Sequence, residues 1–439
     1  MSDTKVLVVG GGPAGAAAAY RLTEKGFAVT LLERADRLGG RIRSERADDS
    51  HYEAGAHFFT NFYPRTLKLI DEVGLSGKKA ELANEVFIVR DGRPHDLRSV
   101  RTAIGAQLLS PGAKGRLVAE TLRMLRHWRQ LDPGDIVQAA VLDRGSVAEL
   151  FRQGPGRELL DYVFQPALNS FLYWSPERTS AAVVPVLIKA AMMLRGMYTL
   201  RDGYSELVER AAGRAEVLLG RDVVSISGGP GGCVVRARDR GGAVTEFEAD
   251  GVVCAIPATG VGKLFGDELG DRRAFLDQVR YSSSVSAILG VRNDGSARNS
   301  AVLYPSREEG VLAAMTTTSM RGEQPLSTSV IKVHAGGPVA RRLSAQTDDV
   351  VASELQRAAG VTVGPGQLRF CQVFRWSEAL PEFDPGYFLR LREFERHTTM
   401  DGRVVFAGDY LGGPFVEGAI GSAERAVDRL AAQLTARPN

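Results

Sequence analysis

The sequence predicts an α/β protein built as two units. One is a parallel sheet wrapped by helices; the other is an α+β unit with a mixed sheet and helices. Three observations predict it. A strand–helix–strand run opens the chain at residues 5–33. A buried strand followed by a long helix closes it at residues 403–435. Between them lie a Leu/Ala-rich helical stretch and a series of short strands with turn residues between them. A chain of 439 residues suffices for two or three structural units. With 44% hydrophobic and 24% charged residues it is an ordinary globular sequence rather than a disordered one. Its formal net charge of +3 is too balanced for a protein that binds nucleic acid by charge, so no nucleic-acid partner is expected.

Residues 5–9 (KVLVV) are a short apolar run ending in glycine, the pattern of a buried parallel strand. Residues 14–25 are Ala-rich and helical, and Gly26 stops them. Residues 27–32 form a second strand that ends at Glu33. The turn between the first strand and the helix reads Gly10-Gly11-Gly12-Pro13-Ala14-Gly15, a G-x-G-x-x-G spacing. This is a Rossmann-like start. Gly10 permits the tight turn, Gly12 lets a pyrophosphate approach the backbone, and Gly15 lets helix and strand pack closely. Pro13 and Ala14 open the helix, whose free N–H groups and dipole favour phosphate. Glu33 lies 18 residues after Gly15, where its carboxylate can accept both ribose hydroxyls.

After Glu33 the chain reads Arg34-Ala35-Asp36-Arg37-Leu38-Gly39-Gly40-Arg41. Here it resembles the flavin amine oxidase superfamily, which includes monoamine oxidases, protoporphyrinogen oxidases and carotenoid desaturases. The resemblance implies a GR2-type FAD-binding domain, with Arg34, Gly39, Gly40 and Arg41 along the nucleotide, pyrophosphate and ribityl chain. It implies that Gly55 and Ala56 pass near the flavin ring, with His57 and Phe58 reaching the ring or the substrate. A packed structural role for His57 is the alternative. Thr199–Leu207 resembles the family's return helix, followed by a strand around 222–226 whose Val223 backbone would pair with adenine. Residues 251–258 (GVVCAIPA) complete that return. Arg375–Phe383, with Trp376, resembles a segment of the protoporphyrinogen-oxidase-like members. In the last block, Gly408 and Asp409 end a strand, and Val416 and Ala419 begin a helix aimed at the flavin pyrimidine edge. Asp409 would hydrogen-bond a ribityl hydroxyl or a phosphate-bound water. The resemblance thus implies an FAD-binding domain of residues 1–75, 199–258 and 396–439. A substrate domain would take 76–198 and 259–395.

The chemistry so implied is removal of a hydride from a small-to-medium, largely apolar organic donor by C–N or C–C desaturation. O2 or a quinone would be the acceptor, since no second G-x-G-x-x-G follows a strand and an NAD(P)H site is unsupported. Phe415, His57, Trp376 and Tyr173 are the candidate substrate-facing residues. Amine-oxidising members often carry a lysine on the central strand of the substrate domain, and residues 281–291 contain none. They also pair two aromatic rings around the amine. Phe415 supplies one, and the other position falls near Leu380-Pro381, which is not aromatic. An amine donor is therefore in doubt. Covalent attachment would require a cysteine near residue 380; Cys233, Cys254 and Cys371 are not close, so FAD is expected to be non-covalent. A flavin isomerase or mutase without net oxidation, a protoporphyrinogen-oxidase-like enzyme and a flavin carrier are the competing readings.

Three cysteines without metal spacing suit a reducing compartment, and no metal site is expected. The first residues lack a basic signal-peptide start, and the longest charge-free stretches are 15 residues, too short to span a membrane. A cytoplasmic monomer or homodimer is the expectation. Residues 101–130 hold six Lys/Arg and one Glu interleaved with Leu117, Leu122, Met124, Leu125 and Trp128. That pattern suits a solvated basic face, or a helix resting on a membrane surface. Residues 86–97 alternate around Asp91-Gly92 as a hairpin, and 281–291, 311–317 and 327–335 read as strands of the second sheet.

Overall fold

The computed structural model describes residues 4–435 except 48–49, 83–84, 98–107, 133–134, 230, 296–297, 322–323, 365 and 397–402. The expected helical reading at 101–107 and the break at Pro133-Gly134 lie outside the described residues. In chain order, the strands of the two large sheets begin with β1 (Lys5–Val9), β2 (Ala28–Glu33), β3 (Glu85–Arg90), β4 (Arg93–Asp96), β5 (Glu216–Leu219) and β6 (Gly251–Cys254). They continue with β7 (Ser284–Arg292), β8 (Ser300–Leu303), β9 (Ala314–Arg321), β10 (Gln324–Gly336), β11 (Leu368–Trp376) and β12 (Val404–Phe406). The helices that matter here are α1 (Pro13–Glu24), α2 (Pro64–Glu72), α3 (Pro111–Leu125), α4 (Ser205–Ala212) and α5 (Val416–Thr435).

The first sheet has the order β5-β2-β1-β6-β12, and every pairing in it is parallel. Its strands come from the beginning, middle and end of the chain. β1 is apolar on both faces because both faces are covered. Val6 and Val8 pack with α1 and α5, while Leu7 and Val9 join the larger core on the other side. The small Ala16–Ala19 run of α1 is fully buried, which allows close contact with both α4 and α5.

The second sheet has seven strands in the order β11-β7-β10-β9-β8-β3-β4, antiparallel except for β8 against β3. The β3–β4 hairpin turns at Asp91 (φ 52°) and Gly92 (φ 68°), as an Asp-Gly pair permits. Val285, Ala287 and Leu289 of β7 pack with Val333 and Ala335 of β10 against helices behind the sheet. The alternate residues Ser284, Ser286, Lys332 and His334 point to the other face.

Two details differ from expectation. The segment Thr199–Leu207 is not one helix. Met197–Leu200 is a strand paired with Phe59-Thr60, and α4 begins only at Ser205, after a turn at Gly203 (φ +104°). The basic stretch forms α3, whose outward face is apolar as well as basic. Val118, Leu122 and Leu125 are 56%, 59% and 49% exposed beside Arg123 and Arg126. No described helix is long and apolar enough to cross a membrane.

Candidate active site

A cavity of about 950 Å³ runs between the two sheets. One end is built by the β1–α1 turn and the end of β2. Gly10 (φ +103°) makes the turn, and a Cβ on Gly15 would overlap the Gly10 carbonyl oxygen. Gly12 faces only Gly40 across the cradle, leaving its backbone open to the cavity. Glu33 accepts the Gly11 N–H at 2.6 Å and the Ala35 N–H at 2.7 Å, which aims its carboxylate along the cavity wall. Gly10, Gly12, Pro13, Ala14, Glu33, Arg34 and Val223 all line this end.

Gly40 and Arg41 also line the cavity, but Gly39 does not. Gly39 (φ +112°) sits behind the wall as a turn former. Its N–H donates to the Gly11 carbonyl at 2.8 Å, and a Cβ there would overlap the Ile42 carbonyl oxygen. Gly39 thus shapes the loop that Gly40 presents to the cavity. The Arg41 guanidinium pairs with Asp409 at 2.8 Å, donates to the Ala379 carbonyl at 3.0 Å and lies over the Tyr281 ring. Asp409 thus ties β12 to the β2 loop. Gly408, Asp409, Phe415, Val416 and Ala419 line the middle of the cavity, with the first turn of α5 facing it.

The far end is aromatic. Phe58, Phe171, Tyr173, Trp376 and Phe415 line it. Trp376 is fixed by donating its indole N–H to the Ala54 carbonyl at 3.0 Å, and Phe415 stands 5.6 Å from Tyr63. Tyr173 follows a π-helical turn, Leu168–Leu172, and adopts a left-handed backbone (φ 59°). The left-handed residue ends the helical turn as its C-cap and turns the chain along the cavity. Leu380 lines the wall, yet the chamber does not lack rings, because Trp376 of the same segment and Tyr173 of another also line it. His57 stacks edge-on to Phe58. Burial, with Lys332 and His334 nearby, holds its imidazole well below the ordinary histidine value and therefore neutral.

Sequence reasoning missed Lys332, His334, Ser286 and Glu417. The expected absence of a lysine on residues 281–291 holds, but β10, paired beside that strand, delivers one: Lys332 lines the cavity. Desolvation lowers its pKa from 10.5 to about 8. The alternation Lys332, His334 within a buried strand, and Ser284, Ser286 opposite it, was the available signal. Glu417 is fully buried at the start of α5. Its carboxylate accepts from the backbone N–H groups of Arg65 and Thr66 at 2.9 and 2.8 Å, capping α2.

The glycine cradle and the terminal acid at one end and the aromatic chamber at the other form a single elongated site between the two sheets. The chain belongs to the flavin-containing amine oxidoreductase family, whose match spans residues 13–431. It is 27% identical to coproporphyrinogen III oxidase of Mycobacterium leprae (strain TN), over 99% of this chain and 100% of that one. It is 23% identical to protoporphyrinogen oxidase 2, chloroplastic/mitochondrial, of Arabidopsis thaliana, over 100% and 96%. Its fold matches cyclohexylamine oxidase from Brevibacterium oxydans IH-35A with a TM-score of 0.76 at 17% identity, covering 99% and 100% of the two chains. The protein is thus a flavin-dependent oxidoreductase acting on an organic substrate, and a flavin isomerase without net oxidation is not favoured. The cavity residues fit a flavin: an open glycine backbone at one end, and at the other flat rings with space between them.

Proposed function

We propose that the cofactor is FAD, held without a covalent bond, and that the chain removes a hydride from a C–H bond of a largely apolar donor by C–N or C–C desaturation. One observation carries this reading: a single cavity joins Gly12 and Glu33 to the chamber of Tyr173, Trp376 and Phe415. Its extension to Glu33, Arg34 and Val223 leaves room for an adenosine, which favours FAD over a shorter flavin. Gly10, Gly12 and Ala14 would face the pyrophosphate. Gly55, Ala56 and Phe58 would flank the ring, with the first turn of α5 at Val416 and Ala419 favouring negative charge there. Bound FAD supplies the two-electron acceptor. The chain's part is to place the donor, exclude water and hold the surrounding charges.

No cysteine lines the cavity among the described residues, which supports non-covalent binding. Acid or heat denaturation of the yellow protein is expected to release FAD into the supernatant; flavin that stays with the precipitate would refute that part. Glu33→Ala is expected to weaken FAD affinity about ten- to a hundredfold by removing a charged acceptor for the ribose. Fluorescence titration measures it, and unchanged affinity would remove Glu33 from that role. The full-length likeness to porphyrinogen oxidases favours a porphyrinogen-like donor as the second reading. O2 or a quinone as acceptor, a cytoplasmic monomer or homodimer, and the division into an FAD domain of 1–75, 199–258 and 396–439 with a substrate domain between belong to the same proposal.

A further inference from the structure

β7 and β10 pair so that Ser286 stands opposite His334 and Ile288 opposite Lys332. Ser286 and Lys332 are therefore diagonal neighbours on one face, within reach of each other through a long side chain. Both line the chamber, and both are buried, at 2% and 8% exposure. Neither is satisfied. The Ser286 hydroxyl has no hydrogen-bond partner. The Lys332 ammonium has three donors and reaches only the Glu53 and Gly55 carbonyl oxygens, each at a long 3.4 Å. The Glu53 carboxylate is engaged elsewhere, by the Tyr204 N–H and the Ser44 hydroxyl. Arg375, in register with Val285 on the opposite face of the sheet, pairs with Asp348, and Arg41 pairs with Asp409. His57 and His334 are held neutral. A buried cation and a buried hydroxyl, both short of acceptors and facing one chamber, are complementary to an anion with two oxygens.

We propose that the donor carries a carboxylate, and that Lys332 Nζ and Ser286 Oγ hold it at the aromatic end of the site. The assignment rests on the oxidoreductase reading above and narrows its substrate class. The same ammonium disfavours a donor whose only charge is cationic, since like charges would meet in a dry wall. Lys332 and Ser286 act here as binding residues that set orientation.

The test titrates purified holoenzyme with benzoate and with benzamide, its uncharged counterpart, and reads the perturbation of the flavin spectrum. Benzoate is expected to bind at least about tenfold more tightly than benzamide. Lys332→Met should abolish that preference, Lys332→Arg should retain much of it, and Ser286→Ala should reduce it several-fold. The visible spectrum of each variant reports its flavin content separately, so loss of cofactor is not mistaken for loss of the anchor. No benzoate binding, equal binding of both probes, or an undiminished preference in Lys332→Met overturns the assignment and leaves the flavin reading standing. A colourless protein would overturn the flavin reading, and calorimetry with the same two probes would still decide the anchor.

Discussion

Gly15→Ala is expected to yield protein without bound flavin and with a stability loss of more than about 4 kcal/mol. A Cβ at this position would overlap the Gly10 carbonyl oxygen, and its next neighbours are the Gly10 carbonyl carbon and Val8. None of these is a flexible side-chain end. Relief requires α1 to lift from β1, and the buried Ala16–Ala19 face of α1 is packed against α4 and α5. The same lift opens the cradle, because the Ala16 N–H is bonded to the Gly12 carbonyl. Gly26→Ala is the matched control. Gly26 has φ +87° but nothing within reach of a Cβ, so it should cost about 1 kcal/mol and keep the flavin. Visible absorbance and chemical denaturation of the two variants measure the contrast. Normal flavin content in Gly15→Ala would mean that helix and strand are not held at this spacing.

Lys332→Met is expected to stabilise the protein by about 3 kcal/mol at pH 7. The figure follows from the depressed pKa: burial lowers Lys332 from 10.5 to about 8. The titratable groups around it are Glu53, which is charged, and His57 and His334, which burial keeps neutral. At pH 7 the lysine is protonated in both folded and unfolded chains, so the folded state bears the full cost of a buried ammonium. Between pH 8 and pH 10.5 the folded state sheds the proton first, the unfolded state binds more protons, and wild-type stability rises relative to the variant. The advantage of Lys332→Met should therefore shrink across that window. Denaturation midpoints at pH 7 and pH 10 test it. A variant less stable than wild type at pH 7 would show that the ammonium is not a strained group.

Local pattern carried the first third of this reading. The β1–α1–β2 unit was legible because its glycine spacing, apolar runs and terminal acid lie between Lys5 and Glu33, so nothing distant had to be known. The closing strand and the start of α5 at Val416 were legible for the same reason. Gly39 and Gly40 look alike in sequence, and only the backbone shows that Gly40 lines the cavity while Gly39 forms the turn behind it. The start of α4 was set too early because Thr199 and Leu200 pair with a strand far upstream. Lys332 was invisible for a deeper reason. Its position depends on the register of β7 against β10, two strands whose paired residues are more than thirty positions apart. Glu417 likewise caps a helix that begins some 350 residues earlier, which no local pattern encodes.

The order of the parallel sheet has a consequence for how the chain is made. β6 sits between β1 and β12, so the first strand to leave the ribosome shares a sheet with one that leaves among the last. Until residues near 404 emerge, one edge of β6 stays open and the apolar side of α1 lacks its α5 cover. Synthesis at ordinary speeds leaves that surface bare for tens of seconds. The nascent protein is a natural client for a holding chaperone, and a truncation before β12 should be found in inclusion bodies rather than as a smaller soluble flavoprotein.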